Sequence, residues 1–141
     1  MEAPPLYTRE AIAELLRQND INPTHQRIEI AYALFSRRQH LSAEQVMGIV
    51  NARVPECSKA TIYNTLNLLR EKRMIREVVV DPAKVFYDPN TSEHHHLYDV
   101  VRGTLVDIPA GEIEVTGMPH LPEGMTADGV DIVVRVRPAE S

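Results

Sequence analysis

The stretch "SKATIYNTLNLLREKRMIREVVVDPAKVFYD", residues 58–88, decides the fold. Its first half has a helical period: Ser58 can act as an N-cap, and Ile62, Leu66 and Leu69 recur on one face. From Ile75 the period shortens. "MIREVVVD" and "KVFYD" read as short strands, with "DPAK" as the hairpin turn between them. A helix that runs into a two-stranded wing is the ending of a winged helix-turn-helix.

Three further helices are expected upstream. Thr8 caps "REAIAELLRQN", where Ile12, Leu15 and Leu16 form one apolar stripe. Pro23 fits the first turn of "PTHQRIEIAYALFSRR", with Ile28, Ala31, Leu34 and Phe35 inward. "SAEQVMGIV" opens with Ser42 and has Gln45 three residues later, a capping-box pattern. Downstream, "DPNTSE" (88–93) is turn-rich and reads as a hinge. "HHHLYDVV", "GTLVDIP" and "VDIVVRVR" then look like three strands, with room for one short helix near "AGEIEVTG". In the last strand Val130, Ile132, Val134 and Val136 take one face, and Asp131, Arg135 and Arg137 take the other. A back half of about 50 residues with three strands is marginal alone. A second copy would cover its open face, so a homodimer is expected.

Composition narrows the setting. The 141 residues carry a net charge of −5, which by itself argues against nucleic acid. The charge is uneven, however: residues 1–80 hold eleven Lys/Arg against nine Asp/Glu, and residues 81–141 hold four against eleven. The front half is thus mildly basic and the back half acidic. No apolar run approaches the ~18 residues of a membrane span. The opening "MEAPPLYTREAIAELL" lacks a basic region followed by an apolar block, so no signal peptide and a cytoplasmic location are expected. The single Cys57 excludes an intramolecular disulfide and any multi-cysteine zinc site.

With Ile62, Leu66 and Leu69 buried, Lys59, Tyr63, Asn64, Asn67 and Arg70 fall on other faces of their helix. Lysine, arginine and hydroxyl groups suit phosphates, while Tyr and Asn suit base edges. An ordinary amphipathic helix with a polar outside would read the same way. Its place as the last helix before a wing favours DNA.

The segment "EHHHL" carries adjacent His94, His95 and His96. In an extended chain His94 and His96 face one way and His95 the other. Two imidazoles on one face make half of a metal site. Asp88 at the hinge, Asp107 on the next strand and His40 before the third helix can complete it. Three His and two Asp form a mixed N/O set suited to Fe(II) or Mn(II), which zinc can also enter.

These stretches together ("INPTHQR", "QHLSAEQV", "SKATIYNTLNLL", "VFYD", "EHHHLY" and "LVDI") resemble the ferric uptake regulator superfamily of bacterial metal-dependent repressors. Within it the chain looks most like the peroxide-stress (PerR-like) and iron-response (Irr-like) branches. The resemblance implies an α+β chain: a winged helix-turn-helix DNA-binding domain at 1–87, a hinge at 88–93, and a small α/β dimerisation and metal-sensing domain at 94–141. It implies His40, Asp88, His94, His96 and Asp107 as the regulatory metal ligands. It also implies Tyr63 and its neighbours Lys59, Thr61, Asn64 and Asn67, with Arg27, as contacts to a pseudo-palindromic, A/T-rich operator. Three departures stand out. The usual Cys-x-x-Cys zinc motif is replaced by "DVVR", Asp99 to Arg102, so no structural four-cysteine zinc is expected. A lysine frequent in the "INPTHQR" region is Asn22. A second metal site has only Glu93 and His95 as a remnant, and His120 does not align with a ligand.

The function implied is a metal-dependent repressor that senses peroxide through iron-catalysed oxidation of a ligand histidine. Asp at 107, rather than Glu, is what peroxide-sensing relatives tend to carry. Iron or haem sensing of the Irr type stays open, with His94 and His96 offering an axial ligand; no Cys-Pro haem motif is present. A small metal-dependent hydrolase is a remote alternative. Five protein ligands would leave it little room for substrate, and no general base stands beside them.

Overall fold

The computed structural model describes residues 5–37, 40–81, 83–92 and 94–140. The chain divides into two compact units, Met1–Thr91 and Ser92–Ser141.

In the first unit every described helix starts at a hydroxyl. Helices α1 (Arg9–Gln18), α2 (His25–Phe35), α3 (Ala43–Asn51) and α4 (Lys59–Glu71) follow Thr8, Thr24, Ser42 and Ser58. Each hydroxyl accepts from the N–H three residues on, at 3.1 to 3.3 Å. A cap of this kind is worth about 1 kcal/mol. The capping box at α3 is complete, because the Ser42 N–H donates back to Gln45 Oε1 at 2.9 Å. Pro23 lies just ahead of the α2 cap rather than inside the first turn. There its fixed φ sets the chain entering Thr24 without occupying a helical position.

Two helices also end alike. After α1, Asp20 takes a left-handed φ of 60°, and after α4 Arg73 takes 59°. The following residues, Ile21 and Met74, donate backbone N–H groups to the carbonyls of Leu16 and Leu69. Both apolar pairs are buried. These are Schellman ends, and they satisfy carbonyls that the helix leaves open.

Strands β1 (Leu41–Ser42), β2 (Arg76–Asp81) and β3 (Lys84–Asp88) form an antiparallel sheet in the order β1-β3-β2. The wing expected to have two strands therefore has three. Two residues are too short to leave a period in the sequence, so β1 was invisible there. In the "DPAK" turn Pro82 lies outside the described residues, and the Ala83 N–H donates to Asp81 Oδ1 at 2.8 Å.

Ile12, Leu16, Ile30, Leu34, Val46, Ile62, Leu66, Leu69 and Ile75 make one continuous core, with each fully buried aliphatic side chain worth about 1.5–3 kcal/mol. The α2 face is wider than the expected stripe: Glu29, Ile30 and Ala33 are buried, while Ile28 and Phe35 are only partly so. Glu29 is 3 % exposed and sits between two arginines. It accepts from Arg9 (2.9 and 3.2 Å) and from Arg53 (3.2 Å), tying α2 to α1 and to the turn after α3. Burial pushes its carboxyl up, but the hydrogen bonds and charges of Arg9 and Arg53 prevail and hold it below its ordinary range.

The second unit contains strands β4 (His96–Asp99), β5 (Thr104–Asp107) and β6 (Val133–Val136), in the order β5-β4-β6. The β4–β5 pair is antiparallel and β4–β6 is parallel. His96, Tyr98 and Leu105 are buried. On the opposite face, register aligns Leu97 with Val106 and Val134, and these two valines are exposed. The short helix expected near "AGEIEVTG" is absent, as residues 113–122 have no regular structure. Its apolar residues Val115 and Met118 are exposed, so no buried stripe is there to hold a helix. The chain is α+β, with its described helices all in the first unit. No described helix is long and apolar enough to cross a membrane.

Candidate metal centre and nucleic-acid interface

Each unit brings its own candidate ligands together. In the first, β1 pairs with β3 so that Leu41 opposes Tyr87 and Ser42 opposes Phe86. Continuing that register sets His40 against Asp88, and their Nε2 and Oδ2 atoms lie 3.1 Å apart. Asp88 is the last residue of β3 and 1 % exposed. Its Oδ1 accepts from the Asn90 N–H at 2.8 Å, which aims Oδ2 toward His40.

In the second unit, β4 opposes β5 with His96 across from Asp107. The ladder runs one pair further, since the Ile108 N–H donates to the His95 carbonyl at 2.8 Å. Extended backbone through His95 brings His94 to the face of His96, and the two rings lie 4.5 Å apart. His94 Nε2 and His96 Nε2 both approach Asp107 Oδ1, at 3.1 and 3.4 Å. His94 Nδ1 lies 2.6 Å from the Ser92 carbonyl. A carbonyl only accepts, so Nδ1 carries the proton and Nε2 is the nitrogen turned to Asp107. Two imidazole nitrogens and one carboxylate oxygen converging on a point fit a borderline divalent cation. No cysteine sulfur is among them.

His95 is engaged elsewhere: its Nδ1 accepts from the Ile132 N–H at 3.1 Å, stitching β4 to the approach of β6. Glu93 lies outside the described residues. At "DVVR" the Asp99 carboxylate accepts from the Val101 and Arg102 N–H groups, both at 3.0 Å, and closes the β4–β5 turn.

On α4, Lys59, Asn64, Asn67 and Arg70 are exposed, and Thr61 and Tyr63 are half-buried. Thr61 is tied into the cap, with its Oγ1 3.0 Å from Ser58 Oγ. Arg70 reaches the wing at Glu77, 3.3 Å away. Arg27, in the first turn of α2, donates to the Asn22 carbonyl at 3.1 Å. Sequence reasoning missed one residue of this surface. Glu44, in the first turn of α3, accepts from the Tyr63 hydroxyl at 3.2 Å. Its own backbone N–H holds the Glu44 carboxyl below the ordinary range; burial opposes this, and Tyr63 and Lys59 add to it. Burial, with Glu44, pushes the Tyr63 phenol up. Only spacing across two helices connects these residues, so a single-helix period gives no sign of them.

A unit whose four described helices lead into a wing, followed by a strand-rich unit, is the architecture of winged-helix regulators. Residues 8–133 match the ferric uptake regulator family, and the chain belongs to it. The peroxide operon regulator of Bacillus subtilis is 30 % identical over 99 residues, 70 % of this chain and 68 % of that protein. The peroxide-responsive repressor PerR of Staphylococcus aureus is 33 % identical over 98 residues, 70 % of this chain and 66 % of that one. The chain thus spans about two thirds of the length of these curated relatives. Among solved structures, the Helicobacter pylori ferric uptake regulator superposes with a TM-score of 0.65 at 19 % identity, covering 95 % of each chain. The Campylobacter jejuni peroxide stress regulator gives 0.58 at 18 % identity, covering 96 % of this chain and 98 % of that one. Members of the family are transcriptional regulators and not enzymes, which sets aside the hydrolase alternative.

Proposed function

We propose that this member of the family is a homodimeric, cytoplasmic, metal-dependent repressor that senses peroxide. In this reading His40, Asp88, His94, His96 and Asp107 are ligands of a single Fe(II) or Mn(II) ion, which zinc enters in vitro. The observation that supports the reading is the convergence of His94, His96 and Asp107 within the second unit; the first unit separately pairs His40 with Asp88 at 3.1 Å. Two of those residues belong to the first unit and three to the second, with 88–93 as the hinge between 1–87 and 94–141. An ion held by all five would favour one arrangement of the units, and its differential affinity would set the shift. Lys59, Thr61, Tyr63, Asn64, Asn67 and Arg27 then serve as contacts to a pseudo-palindromic, A/T-rich duplex. The row Val106–Leu97–Val134 is an apolar strip suited to a second copy.

An Fe(II) ion held by these residues would activate hydrogen peroxide by one-electron reduction, and the ligand imidazoles would lie nearest the oxidant; overall the peroxide would oxidise one imidazole by two electrons, leaving one oxygen on the ring and the other as water. The peroxide-responsive relatives from Bacillus and Staphylococcus support peroxide as the signal. The test is to load the protein anaerobically with Fe(II), add about one equivalent of hydrogen peroxide, and map peptides by mass spectrometry. We expect one added oxygen on His40, His94 or His96, with loss of duplex binding. Unmodified histidines despite bound iron would replace this reading with iron or haem sensing, which a haem titration would then examine.

A further inference from the structure

Glu44 is an oddity on the surface that carries Lys59, Asn64, Asn67 and Arg70. A carboxylate beside a helix that meets a polyanion weakens sequence-independent binding. It is exposed, and the Tyr63 hydroxyl donates to it at 3.2 Å across the gap between α3 and α4. Lys59 Nζ lies 5.9 Å from the centre of the Tyr63 ring, on the same turn. A phenol has one proton to give. Committed to Glu44, it leaves the tyrosine oxygen able only to accept, and the carboxylate also only accepts.

We propose that Glu44 and Tyr63 act together as one base reader, presenting acceptors alone to the major groove and selecting an exocyclic amino group. This rests on the proposed DNA-binding role of α4. The amino donors in that groove are cytosine N4 and adenine N6, whereas guanine O6 and N7 and thymine O4 are acceptors. The pair therefore favours C or A over G or T on the strand it faces. Glu44 acts both as a contact and as the group that positions the tyrosine proton. Its charge also penalises phosphate contact wherever no amino group answers it.

The test uses full-length protein loaded with Mn(II) and a randomised duplex DNA pool, comparing sequences selected by the wild type, Glu44→Gln and Tyr63→Phe. Glutamine keeps the shape but loses the charge and adds a donor. We expect Glu44→Gln to lose roughly five- to tenfold of the preference for C or A at one position in each half-site, with other positions unchanged. Tyr63→Phe should change that same position. Binding of Glu44→Gln to unselected duplex should rise and gain salt sensitivity. An unchanged Glu44→Gln profile, beside a wild type that does select a sequence, overturns this inference alone. Uniform weakening at every position with a lowered melting temperature would make Glu44 a helix-start residue and overturn it too. A wild type that selects no sequence would overturn the regulator reading, and this inference with it.

Discussion

His94 donates its Nδ1 proton to the Ser92 carbonyl at 2.6 Å, which turns Nε2 to Asp107 at 3.1 Å, while neighbouring His95 points its Nδ1 at the Ile132 N–H. Adjacent residues of the same type thus do different work. We expect His94→Ala to lower Mn(II) affinity by at least about 100-fold, the upper end for losing a group that merely supports a ligand. His95→Ala should change it by less than about threefold, while lowering stability by about 1 kcal/mol through the freed Ile132 N–H. Calorimetric titration and a thermal melt of both variants decide this. Equal losses of affinity would remove the distinction.

Much of this was legible in the sequence. Thr8, Ser42 and Ser58 announced their helices because a hydroxyl ahead of an apolar stripe is a local signal. Period-two alternation gave His94 and His96 one face, even though β4 begins only at His96. What was hidden depends on pairing between distant segments. Strand β1 has two residues, yet its register is what sets His40 against Asp88. The Glu29 cluster joins residues 20 and 24 positions apart, so neither Arg9 nor Arg53 marks it locally. The helix expected near "AGEIEVTG" failed for the opposite reason: spacing allowed it, but no burial followed.

The Glu29 cluster should make stability depend on acid. Its carboxyl titrates lower in the folded chain than in the unfolded one. Its contribution is therefore fully present above the unfolded value of about 4.3 and is lost as pH falls through the folded value. We expect Glu29→Gln to cost about 2 kcal/mol at pH 7. That is below the ~3–5 of a fully enclosed pair, because Arg9 and Arg53 are 37 % and 59 % exposed. The gap between wild type and variant should narrow below about pH 4. Urea titrations at pH 7 and pH 3.5 measure it; a gap that does not change with pH would mean that charge plays no part.

Arg73 holds a left-handed φ of 59° where α4 turns into the wing, a conformation that costs an L-residue with a long side chain roughly 1 kcal/mol. Glycine adopts it without that penalty but loses more chain entropy on folding. The Schellman bonds from Met74 to Leu69 and from Arg73 to Arg70 are all backbone, so they survive the change. We expect Arg73→Gly to stabilise the protein by about 0.5 kcal/mol, raising the melting temperature by a few degrees. A lowered melting temperature would mean that the Arg73 side chain contributes more than its backbone costs.

The second unit should hold its turn without zinc. Only one cysteine is present, and the position of the usual metal motif is taken by Asp99, whose Oδ1 accepts from Val101 and Arg102. Gly103, at φ 69°, closes the loop, and its N–H donates to the Asp99 carbonyl at 2.8 Å. A side chain that supplies both bonds substitutes locally for a cross-link. We expect excess chelator to lower the melting temperature only by the linkage from the regulatory ion, about 2.7 kcal/mol for an ion at one hundred times its Kd. Strand content by circular dichroism should persist after chelation. Asp99→Ala, by contrast, should cost about 0.5–1 kcal/mol with or without metal, since two N–H groups of this exposed turn exchange the carboxylate for water. Collapse of the strand signal on chelation, with Asp99→Ala neutral, would show that a metal rather than this carboxylate holds the turn.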